Sequence, residues 1–439
     1  MKKGVVGVLV LLALLVLISP AIVGRLAEKS MDENLNWAAQ ESGELRVTSE
    51  SFTRGWFSSE GQHRVSLQDG DLKTAVQVLM GPIDPNDEMP TLVINTKLDH
   101  GLIPVSSMSR ERGSLEPGLG SAVSTLKVEF PDGESFDVPG TIFSKVGLGG
   151  ELLSNYVLEP GSHSDSGTTT FWGSTDIEVR TDPKSGEAKF HGTVGSLSVG
   201  DSTQTVSVGS LKFDGIQQPT DYGITVGDVS FELEGFEVTG GGDVGGLQAM
   251  SLNASTVLDG TDVNADAAIN MTVREVPLFG EATFAMAFEL IGADAELLGR
   301  MQQSLDGAAS AQDPVAVYAA IENDLLALFA SGFEMNFDVF DTTLPQGTVT
   351  SKMLFKFHEK DPVDFAWTSL LLSAEATIDL SIPEALMDMI VDVQPNAAMA
   401  IGGGYLVKRG DTYEMNAQMK KGLLTINGAP FPIPFGAMR

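Results

Sequence analysis

The chain has 439 residues, no cysteine and a formal charge of -32 at pH 7. The absence of cysteine excludes disulfide frameworks, thiolate metal sites and cysteine nucleophiles. The negative charge, without any basic run, argues against a nucleic-acid partner and is interpreted as a solvated acidic surface.

The first predicted element is a membrane anchor. Residues 4–24 contain no charged side chain, and as a helix they would span roughly 30 Å, the thickness of a bilayer core. Lys2 and Lys3 favour an N-terminus that stays in the cytoplasm, with the rest of the chain on the other side. A cleaved signal peptide is the alternative, with Ala21 at the cut. The apolar run continues past Ala21, which favours a retained transmembrane helix over residues 1–24.

A juxtamembrane helix is predicted next, over residues 25–43, because Ala27, Met31 and Leu35 share one helical face. From residue 44 the dominant hydrophobic period is two, and turn signals recur at short intervals. This pattern predicts an antiparallel β-meander domain over residues 44–238.

The most distinctive stretch of the chain is FTRGWFSSEGQHRVSL, which starts at Phe52. Gly55 interrupts two strand patterns, as glycines at bends and bulges do. We interpret the stretch as structural, with Trp56 and Phe57 anchoring a corner in the core. The rival interpretation is that the two aromatic side chains clamp a ligand.

The Gly-rich residues 239–246 are predicted to form a hinge or loop, and residues 247–439 a mixed β/α domain. Helices are predicted over residues 295–308, 313–332 and 383–393, the second with Asp313 as N-cap and Gly332 past its end. Turns are expected at residues 132–133, 182–186, 420–422 and 427–428. The fold class is therefore mainly β, with extended antiparallel meander sheets, a few helices in the C-terminal half and one N-terminal transmembrane helix.

No catalytic or metal-binding constellation stands out in the sequence. The five histidines form no ligand pair, and His358 is expected to be exposed on a strand. The acidic cluster of Asp259, Asp262 and Asp266 lacks the glycine and glutamate of a helix–loop–helix calcium loop. We therefore predict no catalytic residue, no metal and no cofactor.

A resemblance emerges from three motifs. The sequence resembles the YdgA-like family of proteobacterial envelope proteins, which carry a domain of unknown function. The matching residues are an R-G-W-F-S stretch, a His-Gly step where the family's Pro is replaced by Leu102, and a C-terminal Asn-Gly turn: Arg54, Gly55, Trp56, Phe57, Ser58, His100, Gly101, Asn427 and Gly428. The resemblance implies a protein anchored in the bacterial inner membrane, with its bulk in the periplasm, and it implies no activity.

The function hypothesis that follows is non-enzymatic. The expected protein is a membrane-anchored envelope factor that binds lipid or another apolar ligand on a curved sheet. The sequence does not decide whether the apolar sheet face packs on helices or forms an open groove. The alternatives are an interaction scaffold for envelope assembly or motility and, disfavoured, a periplasmic hydrolase.

Overall fold

Antiparallel strands dominate the protein, as the period-two pattern predicts. The computed structural model describes residues 45–54, 58–68, 73, 89–100, 120–131, 133–165, 167–201, 203–240, 245–276, 279–309, 314–361 and 365–431. The predicted anchor and the predicted juxtamembrane helix lie outside these residues.

The chain forms two compact units. The first runs to Gln218 and includes Val238–Gly242, and the second comprises Pro219–Glu237 and continues from Asp243. The strands β1–β13 are Leu45–Arg54, Ser58–Leu67, Thr91–His100, Gly120–Glu129, Ser135–Val146, Leu152–Leu158, Gly161–Asp165, Thr168–Trp172, Thr175–Thr181, Ala188–Val194, Leu197–Gly200, Gln204–Val208 and Leu211–Pro219.

The sheet of the first unit follows chain order from β1 to β6, every pair being antiparallel. The predicted simple meander is interrupted after β6, which pairs with β9, and β9 continues to β10 and β13. The intervening β7 pairs with β8, which pairs with β11. One sheet face forms the core, where Val65, Leu92 and Val128 occupy neighbouring strands.

The second unit contains one long antiparallel sheet and the helices. Its strands β14–β25 are Thr225–Leu233, Phe236–Gly240 (which crosses the unit boundary), Gly245–Asp259, Asp262–Val276, Gly280–Asp294, Phe333–Leu344, Gly347–Phe357, Ala374–Pro383, Val407–Arg409, Thr412–Lys420, Leu423–Ile426 and Ala429–Phe431. The pairing order is β14, β16, β17, β18, β19, β20, β21, β23. Strand β23 also pairs with β22 and β24, and β24 with β25.

The described residues of this unit form five helices: α1 (Ala295–Ala309), α2 (Pro314–Ser331), α3 (Trp367–Ser373), α4 (Glu384–Val393) and α5 (Ala398–Gly402), with a 3-10 turn over Pro395–Ala397. The predictions of α1, α2 and α4 are confirmed, and Gly332 follows α2 with a φ of 83°, as its C-terminal stop signal requires. The proposed N-cap, Asp313, lies outside the described residues. The short helices α3 and α5 were not predicted.

The aromatic core of the second unit lies where the helices meet the sheet. Leu297 of α1 and Leu328 of α2 are buried against Phe333 and Phe357, the first residue of β19 and the last of β20. The rings of Phe333 and Phe357 lie 4.8 Å apart between centroids, a separation typical of favourable aromatic pairs. This core fixes the helices over one end of the sheet.

Candidate functional site

The sheet of the second unit has one strongly apolar face. Residues paired across antiparallel strands lie on the same face, and every second residue along a strand returns to it. Met271 of β17 lies opposite Met250 of β16 and Phe284 of β18, and Ile269 lies opposite Leu252 and Met286. The set that we call the apolar face comprises Phe231, Leu233, Met250, Leu252, Ile269, Met271, Phe284, Met286, Phe288, Phe337, Phe340 and Met353.

The apolar face is not sealed from solvent. Its members are half-buried or exposed, and Phe284 and Phe340 are 36% and 49% exposed. In the first unit, by contrast, Leu92 and Val128 on the core face are 8% and 4% exposed. An exposed contiguous apolar surface of this kind commonly marks a binding site.

The helices cover only part of this face. Leu290, Met335 and Phe355 form one cross-strand row and pack against the aromatic core beneath α1 and α2. The next row holds Phe288 and Phe337, whose ring centroids are 5.0 Å apart and whose side chains are half-buried. The sheet therefore both packs on helices and leaves an accessible apolar area, so the two arrangements expected from the sequence coexist.

The opposite face of the same strands is polar. Glu334, Lys356, Glu375 and Lys420 lie in one row across β19, β20, β21 and β23, with alternating charge. A hydrogen bond from Lys356 lowers the pKa of Glu334, and one from Lys420, followed by one from His358, lowers the pKa of Glu375. The expected exposure of His358 is confirmed. The two faces thus differ sharply in the chemistry that they offer a ligand.

The motif residues of the N-terminal half meet at one end of the first unit's sheet. Arg54 ends β1 and lies opposite Ser59, while Ser58 begins β2 and lies opposite Asp99. His100, the next residue, ends β3 opposite Gly120. The backbones of these two motifs are therefore neighbours, although they are distant in sequence. Gly55, Trp56, Phe57 and Gly101 lie outside the described residues.

The C-terminal motif forms a tight turn in the second unit. Asn427 and Gly428 join β24 to β25 with φ angles of 52° and 79°, which two-residue hairpins with an Asn-Gly sequence adopt. The Asn427 side chain donates hydrogen bonds to the carbonyls of Gly404 and Tyr405, at 2.9 and 3.0 Å, and accepts one from the backbone N–H of Asn416 at 2.9 Å. The turn predicted from the sequence is confirmed, and the Asn427 side chain ties it to Gly404, Tyr405 and Asn416.

Substitution of Asn427 separates its two contributions. Asn427→Ala removes the side-chain hydrogen bonds and places alanine, which adopts positive φ less readily than asparagine, at this position. We therefore expect the free energy of unfolding to fall by about 2–3 kcal/mol. Asn427→Gly loses the same hydrogen bonds but tolerates the backbone, so it should cost about 1 kcal/mol less than the alanine variant. Urea unfolding of the full chain in detergent measures both. Equal losses in the two variants would contradict the conformational argument.

Neither a cluster of metal ligands nor a membrane-spanning helix is found among the described residues. No group of three or more His, Asp or Glu side chains in this part of the chain is arranged to hold a metal ion. None of the helices in the described ranges is long and apolar enough to cross a bilayer. Residues 4–24, where the anchor is predicted, lie outside those ranges.

Comparison with known proteins gives one informative result. A family model described as a bacterial protein of unknown function (DUF945) matches residues 1–434. No curated protein and no solved structure matches the chain. The sequence predicted an apolar sheet face that binds a ligand but not the residues that form it, because each strand shows only an ordinary alternation. The signal in the sequence is the abundance of Met and Phe at alternate positions of consecutive strands.

Proposed function

Because the chain belongs to the bacterial DUF945 family, whose function is unknown, we propose its role from its own chemistry: a non-enzymatic envelope protein that holds lipid acyl chains on the apolar face. The observation that carries this proposal is the half-exposed state of that face. Apolar surface left in water costs about 25 cal/mol per Å². A ligand that covers the face would recover part of this free energy.

The side chains of the apolar face favour a flexible ligand. Several of them are methionines on neighbouring strands, including Met250, Met271 and Met286, and unbranched thioether side chains adapt to ligands of variable shape. Phe284 and Phe340 add large apolar contact area. No charged side chain belongs to the face, so it offers nothing to a polar head group. Acyl chains are the ligand portion that this surface suits.

The proposed location is the bacterial inner membrane, with the bulk of the chain in the periplasm. The support is the uncharged run over residues 4–24 behind Lys2 and Lys3. An anchored protein would have direct access to lipid. N-terminal sequencing of the protein from cells should begin at Met1, and a mature chain that begins at Ile22 would contradict the anchor.

Within its family, we propose that the chain is one of the YdgA-like proteobacterial members. The support is the R-G-W-F-S stretch at residues 54–58 together with the Asn-Gly turn at residues 427–428. The replacement of the family's Pro by Leu102 weakens the match at the middle motif. A close relative from outside the proteobacteria that carries all three motifs would contradict this narrower placement.

Native mass spectrometry of the detergent-extracted full chain tests the function. We expect a lipid-sized mass to remain bound to the wild-type protein. A second polypeptide in place of a lipid would instead support the scaffold alternative. A chain that carries neither, even after incubation with excess fatty acid, would contradict acyl binding.

A matched pair of variants locates the bound lipid. Phe340 on the apolar face and Ile291 on the polar face are 49% and 43% exposed, so each can be changed to serine with little effect on folding. We expect Phe340→Ser to lower lipid occupancy several-fold and Ile291→Ser to leave it unchanged. Equal occupancy in both variants would place the lipid elsewhere.

A further inference from the structure

A separate cavity lies on the polar side of the second unit's sheet. It has a volume of about 590 Å³ and is formed by β20, β21, β23, the end of β22 and the turn at Asn427–Gly428. Its volume falls within the range of small-molecule sites. Lys352, Asp379 and Asn416 lie in one row across its floor, on the face opposite Met353 and Ile378. The residues that line the cavity and the residues of the apolar face do not overlap.

The charges of the cavity balance. Its lining includes two cations, Lys352 and Arg409, and two carboxylates, Asp379 and Glu414, in a chain whose formal charge is -32. Arg409 lies 3.6 Å from Glu414, whereas Lys352 forms no ion pair with any residue in the described part of the chain. Neither an anion nor a cation is strongly favoured by this arrangement.

The lining instead presents donors and acceptors side by side. The Asn416 side-chain amide donates a hydrogen bond to Oδ1 of Asp379 at 2.6 Å. The second carboxylate oxygen of Asp379 can then accept a hydrogen bond from a ligand. Lys352 offers ammonium donors, and the hydroxyls of Thr350 and Ser381 can donate or accept hydrogen bonds. Among the described residues, no aromatic side chain lines the cavity. Each hydroxyl of a ligand can donate to a carboxylate and accept from an ammonium or amide here.

One wall of the cavity is held in place before any ligand arrives. The turn at Asn427 is tied to two carbonyls by its side chain and to Asn416 by the backbone. A pre-organised wall reduces the ordering cost of binding. We propose that this cavity binds a polyhydroxylated ligand, of which a saccharide is the class that matches adjacent donors and acceptors. The proposal does not depend on acyl binding at the apolar face.

Calorimetric titration with defined oligosaccharides tests the proposal. The full chain is kept in a zwitterionic detergent, because a detergent with a sugar head group would itself compete, and is titrated with cello-, chito- and malto-oligosaccharides. We expect at least one series to bind with a Kd of about 1 mM or tighter. Failure of all three series to bind, or binding of inorganic phosphate in their place, would overturn the assignment.

Variants decide whether the cavity is responsible. Lys352→Met and Asp379→Asn should each weaken saccharide binding about tenfold or more, equivalent to about 1.4 kcal/mol. Lys356→Met is the matched control, since Lys356 is another exposed lysine of β20 on the same face, and it should leave the affinity unchanged. An equal loss in the control would overturn the assignment. Neither cavity variant should alter acyl-chain occupancy, so a failure here is distinguishable from a failure of the proposed function.

Discussion

Phe333→Ala should destabilise the second unit by about 3–5 kcal/mol, the usual cost of deleting a buried phenylalanine ring. Phe333 is 8% exposed and begins β19 directly after α2. Its ring centroid lies 5.6 Å from that of Phe329 and 4.8 Å from that of Phe357. Removing it leaves a cavity between the helices and the sheet that these neighbours cannot fill. Urea unfolding of the full chain, followed by tryptophan fluorescence, measures the loss.

Phe340→Ala is the control for this substitution on the same strand. Phe340 is 49% exposed, so its truncation should change the free energy of unfolding by about 1 kcal/mol or less. The pair separates packing beneath the helices from the accessible part of the apolar face. Similar losses in the two variants would mean that the apolar face is packed in solution, and that would count against a ligand site there.

Gly299→Ala should be the second strongly destabilising change, with a loss of about 3 kcal/mol or more. A Cβ at Gly299 of α1 would lie 1.8 Å from the carbonyl oxygen of Tyr222. That carbonyl cannot retreat easily, because the surrounding turn is closed by hydrogen bonds between Thr220 and Ile224 and from Gly223 to Thr220. Inserting an extra methyl group against fixed backbone destabilises a protein by an amount at the upper end of the usual range for overpacked cores. Thermal unfolding of the full chain should show the effect.

The control is a helical glycine with free space around it. Gly402 ends α5, and a Cβ there would meet no atom within 4 Å. Gly402→Ala should therefore leave stability unchanged or raise it by up to about 1 kcal/mol, since alanine favours helix. A comparable loss in both variants would indicate a general sensitivity of helical glycines and would contradict the contact with Tyr222.

Helix ends and tight turns could be predicted from the sequence because they depend on a few consecutive residues. The helix that begins at Pro314 and stops before Gly332 follows from proline at its first turn and a residue at positive φ past its end. The Asn427–Gly428 hairpin likewise follows from the turn type that those two residues adopt. Strand positions in the second half also followed from period-two alternation.

Long-range pairing could not be predicted in the same way. The partner of β6 is β9 rather than β7, and nothing in the alternation of either strand specifies that choice. The apolar face exists only because Met271, Phe284 and Phe340 fall in adjacent rows of paired strands. The sequence of each strand predicts only that one of its sides is apolar. How much of the apolar face is covered depends on how α1 and α2 pack on the sheet. The site is therefore a property of the sheet and not of any motif.

The described residues of the three family motifs lie at turns and strand ends and not on the apolar face. Asn427 is explained by positive φ and by its bonds to Gly404 and Tyr405, so the motif there marks a turn. Arg54 and His100 end β1 and β3, the two strands that flank β2 in the first unit. None of these residues belongs to the apolar face. The residues that make the sequence recognisable are thus separate from those that carry the proposed function.

Photo-crosslinking with a diazirine-bearing fatty acid tests the central claim most directly. The full chain in detergent is incubated with the probe, irradiated, digested and mapped by mass spectrometry. We predict that labelled peptides come from β14 and β16–β20, residues 225–233, 245–294 and 333–357, and that unlabelled palmitate competes the labelling away. Labelling confined to other parts of the chain, or labelling that palmitate does not reduce, would contradict acyl binding at the apolar face.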